Sequence, residues 1–463
     1  MSSTQTQTKQ GDVLPLETLE VADRRLQDDG HGTTTTTTAT APARMSRSTQ
    51  IKILSAGFSF FVAGINDGSI GALFPYILQD YGITTAIASS VYGANFVGWF
   101  VAALSNTHLC QHLSLGAMLL LGAALQTLAH ALRPWQPPYA LFAASFVLSS
   151  LGQAYQDTHG NTFAAGVRPA AHRWLALIHA MYAAGLFCGP FASTAVASSA
   201  VASSASSRWS LFYYVPLGLG VLNVGLVAYA FRDVLAVKTR SQPAAADTAV
   251  DASPGSDRRA RDLVQTALRS KNVWLLSLFF FFFLGAGVTA SGWMVEYLVV
   301  VRHGDIARMG FVQAGFSGGN LLGRLLLAEP THRLGTRPMI CIYTLLAIGL
   351  QLLFWLVPNI IVASISVCLL GFVMGPYFAT TTAQGMSIGS RLFAPEIHPT
   401  ALAFVFVIAQ IGGCLFPIIT GLVASRVGVH ILQPMLCALL VATAVSWLLV
   451  PRPKESGHAL HEE

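Results

Sequence analysis

Long apolar stretches of similar size alternate with short polar joints along most of the chain. They cover 52–79, 87–107, 113–132, 138–167, 174–197 and 210–231, then 272–301, 307–328, 338–357, 359–389, 399–425 and 430–450. A helix needs about 20 predominantly apolar residues to cross the hydrocarbon core of a bilayer, so each stretch reads as one spanning helix. The stretches form two sets of six on either side of a hydrophilic run from Arg232 to Lys271. The pattern predicts an all-α membrane protein with twelve transmembrane helices. Residues 1–50 are expected to be a disordered cytoplasmic tail and 51–232 an N-terminal six-helix bundle. Residues 233–271 form a cytoplasmic linker, 272–450 a C-terminal six-helix bundle, and 451–463 a second cytoplasmic tail.

The two sets share short motifs at a nearly constant offset. Phe60-Phe61-x-x-Gly64, followed by Gly71 and Tyr76, returns as Phe281-Phe282-x-x-Gly285, followed by Gly292 and Tyr297. Gly93-Ala94-Asn95-x-x-Gly98 returns as Gly318-Gly319-Asn320-x-x-Gly323, and Leu151-Gly152 with Gly166 returns as Leu370-Gly371 with Gly385. The matches point to a duplicated six-helix unit. An even number of helices per unit gives both copies the same orientation in the membrane, a parallel repeat. Small residues at these places let helices approach closely.

Composition agrees with this reading. Of 463 residues 53% are hydrophobic and 10% charged, with a mean hydropathy of +0.56, whereas about 25% of a soluble domain is charged. The net charge of +6 does not indicate nucleic acid, because the basic residues follow the loops. With the N-terminus in the cytoplasm, Arg133, Arg208, Arg302, Arg308 and Arg426 fall outside, leaving 22 of the 27 Lys and Arg inside, Arg391 among them. The positive-inside rule therefore puts both termini in the cytoplasm. No apolar core precedes a cleavage site in the first 45 residues, so the first spanning helix is expected to do the targeting. The six cysteines lie in or beside apolar stretches without metal-site spacing and read as packing residues, with no cofactor or metal expected.

Against this background, polar groups within the apolar stretches stand out. Asp67 lies midway along the first stretch, in Gly64-Ile65-Asn66-Asp67-Gly68, and Asp157 deep in the fourth, in Gln156-Asp157-Thr158-His159-Gly160-Asn161. A charged side chain at the bilayer centre costs about 2.5–3.5 kcal/mol on insertion scales and usually faces a cavity. Burial disfavours an ionised carboxyl, so both acids are candidates for carrying a proton; a structural hydrogen-bonded pair is the alternative. At the repeat offsets the second half has Val288 and Pro376 instead, which assigns ion handling to the first half.

Other polar groups are candidates for binding a solute. They are Asn66, Asn95, Asn161, His179, Tyr182, Trp293, Glu296, Asn320, Tyr377 and Gln410. Each has a plainer reading: amides that tie helices together, a packing histidine, aromatics that fill space, and a Glu296 that reaches water near a helix end. Gly185-x-x-x-Gly189-Pro190 and Gly371-x-x-x-Gly375-Pro376 read as helix bends. Arg258 to Arg269 reads as an amphipathic helix on the cytoplasmic leaflet, its basic residues on anionic lipid.

These residues resemble the major facilitator superfamily and, within it, a fungal branch related to fucose–proton symporters. The resemblance covers about residues 50–450 and implies the two-bundle major facilitator fold. Asn66-Asp67 matches the deep Asn and Asp of the first helix in fucose permease-like proteins. Asp157 and Asn161 match an acid four residues before an Asn in the fourth, with Asp in place of a longer Glu. The resemblance implies roles in proton coupling and sugar binding for Asp67 and Asp157. The superfamily's gate motif is absent from Ser105-Asn106-Thr107-His108-Leu109 and partly kept in His332-Arg333-Leu334-Gly335-Thr336-Arg337, leaving Arg324, Arg333 and Arg337 as gate candidates. Gly185-x-x-x-Gly189-Pro190 also matches the core of a motif of proton antiporters.

The expected protein is a monomeric multi-pass transporter, in the plasma membrane rather than an internal one, moving a small polar solute with protons by alternating access. A proton antiporter exporting a drug or secondary metabolite is the near rival. An enzyme would need a nucleophile or metal set such as His-Glu-x-x-His or Gly-x-Ser-x-Gly, and a channel a selectivity filter; the sequence has none of these.

Overall fold

Long apolar runs with few polar backbone competitors fold as helices, because in lipid each backbone N–H and C=O must be satisfied within its own segment. The computed structural model describes residues 45–168, 170–201, 208–235, 256–382 and 397–451. Residues 1–44 of the expected N-terminal tail, much of the linker, Arg391 and nearly all of 451–463 lie outside them, while residues 47–50, expected in that tail, already belong to the first long helix.

Among the described residues the long helices are α1 (Arg47–Tyr81), α2 (Ser90–His112), α3 (Leu115–Ala131), α4 (Tyr139–Gly166), α5 (Ala171–Val201) and α6 (Tyr214–Ala230). After the linker come α7 (Lys271–Val300), α8 (Ile306–Leu326), α9 (Thr336–Leu356), α10 (Ile360–Thr382), α11 (His398–Val427) and α12 (Leu432–Leu449). A single turn, Thr85–Ala88, precedes α2. A helix at Ser256–Arg269 precedes α7, with Ala267 buried and Trp274 Nε1 donating to the Leu268 carbonyl at 2.7 Å.

Nine helices among the described residues are long and apolar enough to cross a membrane. Of the other three, α3 is short at 17 residues. α4 and α8 are long but diluted by polar side chains: Gln153, Gln156, Asp157, His159 and Asn161 in one, Arg308, Gln313, Asn320 and Arg324 in the other.

Within the first half α1 packs on α5, α2 and α3 on α4, and α3 on α6. Within the second, α7 packs on α11, α8 and α9 on α10, and α9 on α12. Glycines make these seams. A Cβ on Gly185 would stand 2.9 Å from Gly64 Cα, and one on Gly68 would stand 2.7 Å from the Leu186 carbonyl oxygen. Gly371 and Gly375 face the backbone of α8 at Phe316 and Asn320. The helices continue through Pro190 and Pro376, and the glycines before each proline pack against the backbone of a neighbouring helix.

The halves meet toward one end. Tyr76 Oη donates to the Ile306 carbonyl at 3.2 Å, Thr85 Oγ1 to the Gly421 carbonyl at 2.9 Å, and Gln313 Nε2 to the Gly68 carbonyl at 2.9 Å. Phe74 stacks on Trp293 with centroids 4.9 Å apart. All four contacts lie on the Tyr81 side of Asp67 along α1, beyond its midpoint.

Candidate functional site

Asp67 sits where α1 faces α4, α5 and the second half, partly accessible among buried neighbours. Three donors converge on its carboxylate: Asn66 Nδ2 on Oδ1 at 3.0 Å, and Gln153 Nε2 and Tyr182 Oη on Oδ2, both at 2.8 Å. The close α1–α5 approach at Gly64 and Gly68 brings Tyr182 within reach, and α4 supplies Gln153. Cys414 on α11 lies within electrostatic range of Asp67.

Asp157, also partly accessible, accepts from Asn161 Nδ2 at 3.3 Å. The Asn161 Oδ1 is buried without a hydrogen-bond partner. Tyr182 lies in the field of both Asp67 and Asp157. Facing them from the second half is Arg324 on α8, whose Nε donates to Asn320 Oδ1 at 2.9 Å and which lies in electrostatic range of Tyr182 and His179. His179 meets the Phe60 ring edge-on at 5.5 Å. Hydrogen bonds thus join Asn66, Asp67 and Tyr182, Asp157 and Asn161, and Arg324 and Asn320, and Tyr182 lies in electrostatic range of Asp67, Asp157 and Arg324.

Other candidates lie elsewhere. Trp293 is fully buried in the closed end, donating from Nε1 to the Pro417 carbonyl at 3.0 Å. Tyr377 is buried within the second bundle, between Phe283 at 5.0 Å and Thr344, whose hydroxyl is 2.6 Å from its own. Phe279, Phe280 and Phe283 are core around it. Glu296, a solute candidate whose plainer reading is a residue reaching water, is 8% exposed on α7. Asn95 and Gln410 are half-buried without a described hydrogen bond. Arg333 pairs with Glu329 one turn away at 2.6 Å, with both side chains exposed, and Arg337 donates to the Leu448 carbonyl at 3.1 Å.

One central residue reads from the sequence as an outer-loop charge. Arg133 follows α3 in a turn that carries Gln136 at φ 54° and leads into α4. This turn folds its side chain inward, where it is 0% exposed. Nη1 donates to Asn66 Oδ1 at 2.7 Å, Nε to Ser145 Oγ at 2.7 Å and Nη2 to Ser149 Oγ at 2.9 Å, with the Phe146 ring 3.7 Å from the guanidinium carbon. The available signal was the Ser145-x-x-x-Ser149 pair, two hydroxyls on one helix face beside a loop arginine. Gln153, one turn before Asp157, was equally unmarked.

Long apolar helices carrying polar groups along their length define the class, a polytopic membrane protein. The sequence model of the Major Facilitator Superfamily matches residues 56–391, and the chain belongs to that family. It is 24% identical over 425 residues to "Bypass of stop codon protein 6" of Saccharomyces cerevisiae, covering 87% of this chain and 83% of that protein. Its fold is similar to that of a bacterial homologue of the human lysosomal transporter Spinster in an inward-facing, unoccupied conformation. That likeness has a TM-score of 0.66 at 13% identity and covers 88% of this chain and 97% of the other. It is also similar to the outward conformation of FucP, solved elsewhere as the E. coli fucose:proton symporter (TM-score 0.59, 17% identity, 88% and 100% covered). A D-xylose–proton symporter gives a TM-score of 0.64 at 13% identity, with 88% and 98% covered.

Proposed function

We propose that the protein is a proton-coupled secondary transporter that moves a small polar, sugar-like solute by alternating access. The observation that carries this reading is Asp67: a carboxyl midway along α1, held by three donors yet partly accessible between the halves. Protonation neutralises its charge and lets the cavity close around solute without a bare anion in it. Asp157 is a second proton site beside the solute, and Asn161 with its free carbonyl oxygen, Tyr182, His179 and Asn320 bind it. Arg324 guards the region from the second half. The fucose and xylose symporters among the similar folds support a sugar-like cargo.

In this reading the chain has twelve spans in two parallel six-helix repeats, 51–232 and 272–450, joined by the linker 233–271. The matching α1–α5 with α7–α11 and α2–α4 with α8–α10 packing supports it. Both termini are cytoplasmic, the closed end faces outward, and the protein works as a monomer in the plasma membrane.

The test is uptake and efflux of a solute panel by vesicles containing the full chain, with and without a pH gradient. Gradient-dependent, saturable accumulation is expected. Asp67→Asn should abolish accumulation against a gradient while leaving part of the solute exchange. Full concentrative transport by that variant would refute the role of Asp67.

A further inference from the structure

Arg133 is a fully buried cation with no carboxylate in hydrogen-bond contact among the described residues. A buried charge left uncompensated costs several kcal/mol, so its compensation decides what it does. Ser145 and Ser149 give their own hydroxyl protons to the Phe142 and Phe146 carbonyls, at 2.6 and 3.2 Å. Their lone pairs are thereby left for Nε and Nη2. The remaining nitrogen, Nη1, donates to Asn66 Oδ1 at 2.7 Å, which orients the amide so that Nδ2 points at Asp67 Oδ1, 3.0 Å away. Guanidinium, amide and carboxylate form a line. Asp67 lies within electrostatic range of Arg133.

A direct ion pair would hold the carboxylate ionised; one interposed amide passes on part of the field and leaves the proton free to come and go. The groups that face this line are few. Tyr182 comes from α5, Gln153 from α4 and Cys414 from α11, while Asp157 and Arg324 act on Tyr182. His130 and Tyr213 flank Arg133. We infer that Arg133 is a positioning residue for the Asp67 proton site, acting through Asn66. This rests on the proton-carrying reading of Asp67 given above.

The test needs no identified solute. Full-length protein in phosphatidylcholine vesicles is titrated with aqueous pH while the infrared carboxylic C=O band is followed. The band lost in Asp67→Asn belongs to Asp67. In Arg133→Gln its midpoint should move to higher pH by about one unit, since an opposite charge close by favours the ionised form by that order. Asn66→Ala keeps the guanidinium and cuts the link, and should displace the midpoint in the same direction. It serves as the deciding variant if Arg133→Gln does not fold. Arg133→Lys, a cation without the planar fork, should restore only part of the wild-type midpoint. An unchanged midpoint in folded Arg133→Gln or, where that variant fails to fold, in Asn66→Ala overturns the inference and leaves Asp67 as the proton site. Absence of any titrating band lost in Asp67→Asn overturns both.

Discussion

Tyr182 gives Asp67 its one hydroxyl donor, and removing that oxygen tests how much the carboxylate depends on it. A hydrogen bond to a charged group contributes about 1.5–3 kcal/mol, so Tyr182→Phe should make the ionised form harder to reach. The pH profile of solute accumulation in vesicles should then shift toward alkaline pH by about one unit; a superimposable profile would remove Tyr182 from the coupling. Asp157→Asn should flatten or displace the same profile, because Asp157 lies in the field of the same tyrosine. At this scale the sequence singled out Asn66, Asp67, Asp157 and Asn161, since an acid in an apolar run is conspicuous on its own, and the structure pairs them by hydrogen bonds as Asn66–Asp67 and Asp157–Asn161. Arg133 was hidden because Arg-Pro-Trp-Gln-Pro-Pro reads as a loop, and a loop charge is ordinarily taken to face water. Its inward place shows only in the folded contacts with Asn66, Ser145 and Ser149.

The α1–α5 pair is held by glycines, and a methyl group there has nowhere to go. Gly185→Ala would force its Cβ against Gly64 Cα and the Ile65 backbone nitrogen, each 2.9 Å from the ideal position. Such overpacking costs about 1–3 kcal/mol. The thermal midpoint of the purified protein should fall, and the Tyr182–Asp67 contact should loosen with it; an unaltered midpoint would mean that the helices separate freely. At the start of α1, Lys52 Nζ lies 2.5 Å from Asp233 Oδ2, just after α6. The donated hydrogen bond holds the Asp233 carboxyl below its ordinary range. This contribution is present above the unfolded carboxyl value and fades as pH falls through the lowered one. It should disappear in Asp233→Asn, whose stability should lose the corresponding acid-side dependence. Element positions were legible from apolar length alone. That Gly185-x-x-x-Gly189 packs against α1 was not, because the motif does not say which helix lies opposite it.

Across the whole molecule, three hydrogen bonds and the Phe74–Trp293 stack join the two halves toward one end, and α5 packs along α8 with the Phe191 and Phe311 rings 5.4 Å apart. Gln313→Leu removes a buried donor to the Gly68 carbonyl, worth about 1 kcal/mol, and should shift the population toward the opposite opening by about fivefold. Spin labels at Trp135→Cys and Arg308→Cys should report a larger fraction of long distances; an identical distribution would show that this bond does not hold the end shut. The polar dilution of α4 also bears on how the chain enters the membrane during synthesis. With its glutamines, acid and histidine it is a poor candidate for lateral release into lipid by itself. The groups that satisfy it are already made when it emerges: Asp67 on α1 for Gln153, Asn106 on α2 for His159 and Gln126 on α3 for Gln156. Ribosome-bound α4 would therefore wait beside the insertion machinery until its three predecessors offer it a polar berth, making the order of synthesis part of how this carrier is assembled.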